Sequence, residues 1–149
     1  MKMMLYKEGL VRFGTAKYEL AQFDNKFMHL TNSSINKYSP LAPGAPKWTF
    51  AQLNTHLREL RKDPKILWLR IRSILVLALL PMLSKVPLAE NCFELLGLDV
   101  LVDDKFRPWL LEINASPALT VDGSVDTAVK PPMIKDLIKV LTKHSLKLP

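Results

Sequence analysis

FELLGLDVLVDDKFRPWLLEINASP, residues 93–117, contains two short apolar runs separated by a polar turn. Residues 96–102 and 109–113 form the two runs, and Asp103-Asp104-Lys105 lies between them. Apolar runs of this length on either side of a polar turn predict two antiparallel strands joined as a β-hairpin. We therefore expect the fold to contain a small antiparallel sheet built on this hairpin.

Three polar residues lie among the apolar residues of the predicted hairpin. Asp99 lies in the first run, and Glu112 and Asn114 lie at the end of the second. Glu112 and Asn114 are two positions apart, so on a strand their side chains point to the same face. Two carboxylates and an amide oxygen are hard ligands of the type that Mg²⁺ prefers. The alternative is that Asp99 marks a bulge or an edge and that the other two residues form a solvated strand face.

Length and composition limit the classes of protein to consider. The 149 residues are enough for one domain, and the apolar content of 48% excludes intrinsic disorder. The net charge of +7 favours an acidic partner. The single cysteine, Cys92, excludes an internal disulfide framework and favours a reducing compartment. Its apolar neighbours predict a small buried residue.

The chain has no pattern of a membrane or secreted protein. Charged residues interrupt any apolar run near residue 1, so no signal peptide is predicted. The longest apolar run, residues 74–83, is about half of what a membrane span requires. We expect a soluble intracellular protein.

The first 40 residues predict a strand and a polar loop. Residues 4–13 predict a second hairpin with its turn at Lys7-Glu8-Gly9, in which Arg12 is an exposed strand residue. A strand this close to residue 1 exposes an edge that another segment must cover, so we expect further sequence upstream. Residues 29–37, HLTNSSINK, are dense in hydrogen-bonding side chains. They predict either a strand that runs into a turn or a loop that grips a polar ligand.

The rest of the chain predicts a variable loop and three helices. Four Pro and Gly residues place a surface loop at 39–46. Helices are predicted over 48–61 with Thr49 as N-cap, over 65–80 starting after Pro64, and over 132–144. The second is apolar on most of its circumference, so we expect it to be buried in a core or covered by another domain.

Three segments together resemble the tubulin–tyrosine ligase-like family of ATP-grasp amino-acid ligases. They are residues 6–15 (YKEGLVRFGT), residues 29–37, and residues 92–117 with the string PWLLEIN. The Lys47-Trp48-Thr49 element and the Ser-Ser-Ile-Asn-Lys version of the second segment are closer to the polyglutamylase branches. The resemblance covers nearly the whole chain and implies an α+β fold, the C-terminal portion of an ATP-grasp domain over 1–149 with its upstream half absent.

The resemblance also assigns roles to residues. Asp99, Glu112 and Asn114 match the family's magnesium ligands, and Arg12 matches the arginine that contacts the ATP phosphates. His29, Leu30, Thr31 and Asn32 match the segment that lines the nucleotide. Arg12 and Glu112 are therefore the expected catalytic residues, and Arg12, His29–Asn32 and Asp99 the expected cofactor-binding residues.

The implied chemistry is ATP-dependent ligation. ATP phosphorylates a carboxylate of an acidic tubulin tail, and the amine of a free amino acid, glutamate in the polyglutamylases, displaces phosphate. ATP and Mg²⁺ are the expected cofactors, and tubulin tails, microtubules and a free amino acid the expected partners, without nucleic acid or membrane. The cytoplasm and its cytoskeleton, including cilia or flagella, are the expected location.

Two other functions remain open from the sequence. The absent upstream half would supply the adenine pocket and further phosphate-binding residues, so the chain is alternatively a non-catalytic fragment or a module that binds tubulin tails. Ala115 replaces the larger or polar residue that follows the asparagine in many relatives, which leaves the ligated amino acid open. The further hypothesis of a basic nucleic-acid-binding domain is supported by net charge alone, because the basic residues are scattered and lack interleaved aromatic residues.

Overall fold

The computed structural model describes residues 2–36, 38–39, 47–82, 84–85 and 92–145. In chain order the elements are β1 (Leu10–Arg12), α1 (Lys26–His29), α2 (Ser33–Asn36), β2 (Lys47–Thr49), α3 (Phe50–Glu59), α4 (Pro64–Leu79), β3 (Gly97–Val102), β4 (Pro108–Asn114) and α5 (Ser124–Ser145). Within the described residues, β1 pairs with β2 and β3 with β4, both antiparallel. Helices with small antiparallel sheets confirm the predicted α+β class.

The chain divides into two compact units. Of the described residues, the first unit contains 2–5, 54–82, 84–85, 92–120 and 136–145. The second unit contains 6–36, 38–39, 47–53 and 121–135. Buried apolar side chains of the first unit include Leu57, Leu67, Ile71 and Leu75, and those of the second are Met28 and Val129.

The predicted hairpin at 93–117 is confirmed as β3–β4 in the first unit. Asp99 lies opposite Glu112, whereas the next residue of β3, Val100, lies opposite Leu110. Leu111 is therefore an extra residue, and the ladder has a bulge at this point. Because side chains alternate on both sides of the bulge, one face carries the pairs Gly97/Asn114, Asp99/Glu112 and Leu101/Trp109, and the other face is wholly apolar.

Helix α4 begins where the sequence predicts. The side chain of Asp63 caps it by accepting a hydrogen bond from the backbone N of Lys65, 2.9 Å, and Pro64 occupies the first turn. A stripe at helical spacing is buried, namely Pro64, Leu67, Ile71 and Leu75, and the helix packs against β4. Complete burial of the helix in a core of this chain is wrong, because Ile66, Leu69 and Leu77 are exposed. The alternative that another domain covers this side stays a prediction.

The hairpin predicted over residues 4–13 is wrong, because the partner of β1 comes from far along the chain. β1 pairs with β2, with Val11 opposite Trp48. The segment predicted as a turn docks on the start of α3 instead. The side chain of Glu8 accepts a hydrogen bond from the backbone N of Phe50, 3.2 Å, and Gly9 lies so close to the Phe50 ring that a Cβ at this position would clash with the ring.

Helix α3 begins at Phe50, two residues later than predicted, because Lys47–Thr49 belongs to β2. Thr49 is the N-cap as predicted. Its hydroxyl accepts from the backbone N of Gln52 at 3.2 Å, and the Gln52 amide oxygen accepts from the backbone N of Thr49 at 2.8 Å. This reciprocal pair is a capping box.

Helix α5 is longer than predicted, because it starts at Ser124 and contains Pro131 and Pro132 in its interior. Prolines inside a helix remove backbone hydrogen bonds, which is why the sequence pattern places the start at 132. The first turns are held by tertiary contacts that offset this cost. Asp126 and Val129 are both buried in the second unit.

The structure tests the prediction that the thiol of Cys92 is buried. Cys92 is exposed, so the prediction of a buried thiol is wrong. Its apolar neighbour Phe93 is exposed as well, so an apolar context in sequence does not imply burial here.

None of the helices that the structure describes has the length and apolar character needed to cross a membrane. Most of the loop predicted at 39–46 lies outside the described residues.

Candidate nucleotide and metal site

Three of the predicted ligands lie on one face of the β3–β4 hairpin. Asp99 and Glu112 are direct partners across the ladder, and Asn114 is the partner of Gly97. The amide Nδ2 of Asn114 donates a hydrogen bond to Oε1 of Glu112, 3.1 Å. Asp99 and Asn114 are half-buried and Glu112 is exposed. The hairpin thus brings together the carboxylates of Asp99 and Glu112 and the side-chain amide of Asn114. The amide nitrogen donates to Glu112, and the amide oxygen is a potential metal ligand.

This arrangement fits a magnesium ion that also binds phosphate. Asp99, Glu112 and Asn114 offer carboxylate and amide oxygens, the hard ligands that Mg²⁺ prefers. Mg²⁺ is held by one or two carboxylates together with phosphate oxygens in nucleotide sites. Within the described part of the chain, no three His, Cys, Asp or Glu side chains form a metal-binding group. Three oxygen donors do not fill the octahedral shell of Mg²⁺, so an ion held by these residues would share it with water or phosphate oxygens.

Arg12 lies at the end of β1 in the second unit. It is exposed and directly opposite Lys47 of β2. Neighbours Val11 and Phe13 point to the other face, where the Phe13 ring meets the Trp48 ring edge to face at 4.7 Å. The prediction that Arg12 is an exposed strand residue is confirmed.

The segment predicted to line the nucleotide connects two short helices of the second unit. His29 ends α1, and its Nε2 lies 3.2 Å from the carbonyl O of Gln22. Leu30 caps the helix by donating its backbone N–H to Lys26 O, 2.9 Å, while Thr31 is half-buried and Asn32 exposed. The predicted strand at this place is wrong, because helices α1 and α2 flank residues 30–32.

Asn36 fixes this segment, although the sequence pattern predicts no role for it. It is fully buried, and its Nδ2 donates to the backbone O of Leu30 at 2.6 Å and of Asn32 at 3.1 Å. Its Oδ1 accepts from the hydroxyl of Thr15, 2.7 Å. A buried amide with three hydrogen bonds holds the backbone around Thr31 in one conformation.

The predicted site residues fall into two groups, one in each compact unit. Asp99, Glu112 and Asn114 belong to the first unit, and Arg12 and His29–Asn32 belong to the second. The three expected metal ligands thus lie in one unit, whereas the expected cofactor-binding residues are divided, with Asp99 in the first unit and Arg12 and His29–Asn32 in the second.

Comparison with known proteins identifies the family. The model of the "Tubulin-tyrosine ligase family" matches residues 1–147. The chain belongs to the tubulin-tyrosine ligase family. This membership confirms the resemblance drawn from the three sequence segments.

Individual relatives in this family are longer than the chain. A human protein named "Probable tubulin polyglutamylase TTLL2" is 42% identical over 150 residues, which cover 96% of the chain and 25% of the relative. The mouse protein of the same name is 41% identical, over 96% of the chain and 28% of its own length. "Tubulin polyglutamylase ttll-4" of Caenorhabditis elegans is 33% identical over 94% of the chain and 26% of its length. The chain thus spans about a quarter of each of these relatives.

Proposed function

We propose that the chain is the magnesium-binding portion of an ATP-dependent ligase that adds glutamate to acidic tubulin tails. The fold would be the C-terminal part of an ATP-grasp domain, with ATP and Mg²⁺ as cofactors. Membership of the tubulin-tyrosine ligase family and relatives named tubulin polyglutamylases support the choice of reaction and substrate.

The observation that carries the proposal is the pairing of Asp99 with Glu112 across β3–β4, with Asn114 hydrogen-bonded beside them. Carboxylate and amide oxygens on one face of a sheet are the hard ligands that Mg²⁺ prefers. Asp99, Glu112 and Asn114 would hold Mg²⁺, which supplies charge neutralisation for the phosphates of ATP.

In the proposed reaction the tail carboxylate oxygen takes the γ-phosphoryl group of ATP, and ADP leaves. The nitrogen of the amino acid then forms a bond to the carbonyl carbon, the phosphate leaves with the bonding electrons, and the nitrogen loses a proton. Arg12 stabilises the negative charge of the transferring phosphoryl group. The backbone held by Asn36 keeps Leu30–Asn32 in place against the nucleotide.

Incorporation of labelled glutamate into tubulin tests the proposal. The protein assayed is the longest that the gene encodes around these residues, with ATP and Mg²⁺ present. Glu112→Gln removes one carboxylate and keeps its shape, so activity should fall by at least the roughly 10–100-fold that changes to outer-shell metal partners cost. Calorimetry should show a matching loss of affinity for ATP with Mg²⁺.

Glu59→Gln is the matched control, since Glu59 is an exposed glutamate of α3. It should retain full activity. Equal activity of the Glu112→Gln variant and the wild type would contradict the assignment of Glu112 as a magnesium ligand. Binding of an acidic tail peptide without any nucleotide binding would favour a tail-binding module over an enzyme.

The proposed substrate implies a place in the cell. A ligase of tubulin tails works in the cytoplasm on microtubules, including those of cilia or flagella. A tagged full-length protein that does not colocalise with microtubules would contradict this location.

A further inference from the structure

Helix α4 carries a second apolar stripe on the side away from the core. Its members are large aliphatic residues that are 45% to 68% exposed, namely Ile66, Leu69, Val76, Leu77 and Leu80. At 3.6 residues per turn they fall within an arc of about 100°, roughly opposite the buried stripe that contains Leu67. These five residues form the outer stripe of α4.

One polar residue, Ser73, lies within the outer stripe without adding an unpaired hydrogen-bond group. Its hydroxyl donates to the backbone O of Leu69, 3.0 Å, one turn earlier in the helix. A hydroxyl bonded inside its own helix enters an apolar environment at little cost. The outer stripe is therefore continuous from Ile66 to Leu80, over about 21 Å at 1.5 Å per residue.

Cations flank the outer stripe on both sides. On a helix, Lys65 and Arg72 lie beside one edge of the stripe and Arg70 beside the other, and all three are exposed. Nη1 of Arg70 donates to the carbonyl O of Phe106, 2.9 Å, so this guanidinium is held at its edge while it keeps its charge.

The charge pattern indicates which kind of surface this helix fits. Residues 64–89 contain no Asp or Glu, and Asp63 before them is engaged as the N-cap of α4. An aliphatic stripe between flanks of one positive sign is complementary to an anionic lipid bilayer. There the apolar side chains sink below the headgroups, while the charged ends of Lys and Arg stay at the level of the lipid phosphates.

We propose that α4 lies on the surface of an anionic membrane, with its outer stripe among the acyl chains and its flanking cations at the headgroups. The inference goes beyond the proposed ligase function and does not depend on it. The sequence predicts no membrane partner because its longest apolar run is too short to span a bilayer, whereas a helix that lies on the surface needs no such length.

Binding to lipid vesicles tests the proposal. The protein is the longest that the gene encodes around these residues, and the vesicles contain phosphatidylcholine alone or mixed with phosphatidylserine. The wild type should co-sediment with the mixed vesicles. Its partition coefficient should be roughly tenfold or more lower for phosphatidylcholine alone, because each Lys or Arg near an anionic surface contributes about fivefold.

Leu69→Gln combined with Leu77→Gln removes two leucines of the outer stripe and keeps good helix formers at both positions. This double variant should bind the mixed vesicles roughly tenfold or more weakly than the wild type. Leu111→Gln combined with Ile138→Gln is the matched control, because these residues are 63% and 55% exposed elsewhere in the chain. Its binding should stay within about twofold of the wild type, and thermal unfolding checks that both variants are folded.

A second pair of variants tests the flanking charge. Lys65→Gln combined with Arg72→Gln should weaken binding to the mixed vesicles by roughly tenfold or more. Binding to phosphatidylcholine alone should change by less than about threefold. Lys135→Gln combined with Lys139→Gln removes the same charge from exposed positions of α5 and should weaken binding to the mixed vesicles by less than about threefold.

Three results would overturn the proposal. They are a wild type that binds neither kind of vesicle, a wild type that binds both kinds equally, and equal binding by the leucine variant and its matched control. Light scattering identifies another occupant, since a dimer that the leucine variant converts to monomers without any vesicle binding would assign the outer stripe to a second copy. A protein that binds the mixed vesicles but incorporates no glutamate into tubulin would contradict the ligase function and support the membrane surface.

Discussion

The Asp103 side chain organises the turn of the β3–β4 hairpin through four hydrogen bonds. Oδ1 accepts from the backbone N of Lys105 at 2.9 Å and of Arg107 at 2.8 Å. Oδ2 accepts from Nε of Arg107 at 2.8 Å and Nε1 of Trp109 at 3.2 Å. The backbone N–H of Arg107 lowers the pKa of Asp103 most, desolvation opposes it, and the Trp109 and Arg107 side chains add to the lowering, to about 2.

This lowered pKa predicts a pH-dependent contribution to stability. The carboxylate is ionised in the folded chain at pH values where the unfolded chain, with the ordinary pKa of 3.8, binds a proton. Its contribution is therefore complete above about pH 4 and is lost as the pH falls towards 2. Asp103→Asn should melt at a lower temperature than the wild type at pH 6, and the difference should shrink between pH 4 and pH 2.

Asp104→Asn is the control for this experiment, since it changes the neighbouring carboxylate and none of the four hydrogen bonds. Its melting temperature should follow that of the wild type over the same pH range. A pH-independent difference for Asp103→Asn would mean that ionisation of Asp103 contributes nothing to stability.

Helix α4 has one buried stripe and one exposed apolar side. Leu67 is 3% exposed and Leu69 is 66% exposed, although they are two positions apart on the same helix. The stripe containing Leu67 is therefore expected to carry the energy of packing, while Leu69 adds little within this chain.

Paired alanine substitutions test this difference. Leu67→Ala should lower the free energy of unfolding by about 2–5 kcal/mol, because it leaves a cavity in the core. Leu69→Ala should change it by no more than about 0.5 kcal/mol, since both residues are strong helix formers and the site is exposed. Urea unfolding of the two variants measures both values. Equal losses would show that Leu69 is covered in the protein as purified.

The elements that local sequence predicts well are those whose signals lie within a few residues. The Asp103-Asp104-Lys105 turn defines β3–β4, and Asp63-Pro64 defines the start of α4. The pairing of β1 with β2 joins residues 10–12 to 47–49, and no local pattern indicates such a partner. The prolines of α5 point to the wrong start, because the contacts that hold its first turns come from distant residues.

The same limit applies to the candidate site. Spacing alone placed Glu112 and Asn114 on one face, and the structure adds that Asp99 lies directly opposite Glu112. The position of Trp109 on that face depends on the bulge, which alternation of residues does not reveal. Asn36 was missed because a partner of its side chain is remote, with Thr15 lying 21 positions from it.

Charge acts across the whole molecule. Twenty-one Lys and Arg residues exceed fourteen Asp and Glu residues, which gives the net charge of +7. A chain of this charge should attract an acidic tail over a distance, and salt should weaken that attraction, because the Debye length falls from about 10 Å at 0.1 M to about 3 Å at 1 M.

Binding of a fluorescent hexaglutamate peptide, which stands in for an acidic tail, should therefore weaken by roughly tenfold or more between 50 mM and 500 mM NaCl. Fluorescence anisotropy measures the affinity at each salt concentration. A hexaglutamine peptide is the control, and its weak binding should not depend on salt. An affinity for hexaglutamate that stays constant over this range would exclude attraction by net charge.

The bulge at Leu111 has a consequence for how the gene can vary in length. Leu110 and Leu111 are identical neighbours, and only one of them has a partner across the ladder. An in-frame loss of one leucine codon would straighten β4 while every remaining pair kept its side of the sheet. Loss of a codon within β3, for example that of Val100, would exchange the two faces and turn Leu101 away from Trp109. The two strands of one hairpin therefore differ in how they tolerate the same three-nucleotide deletion.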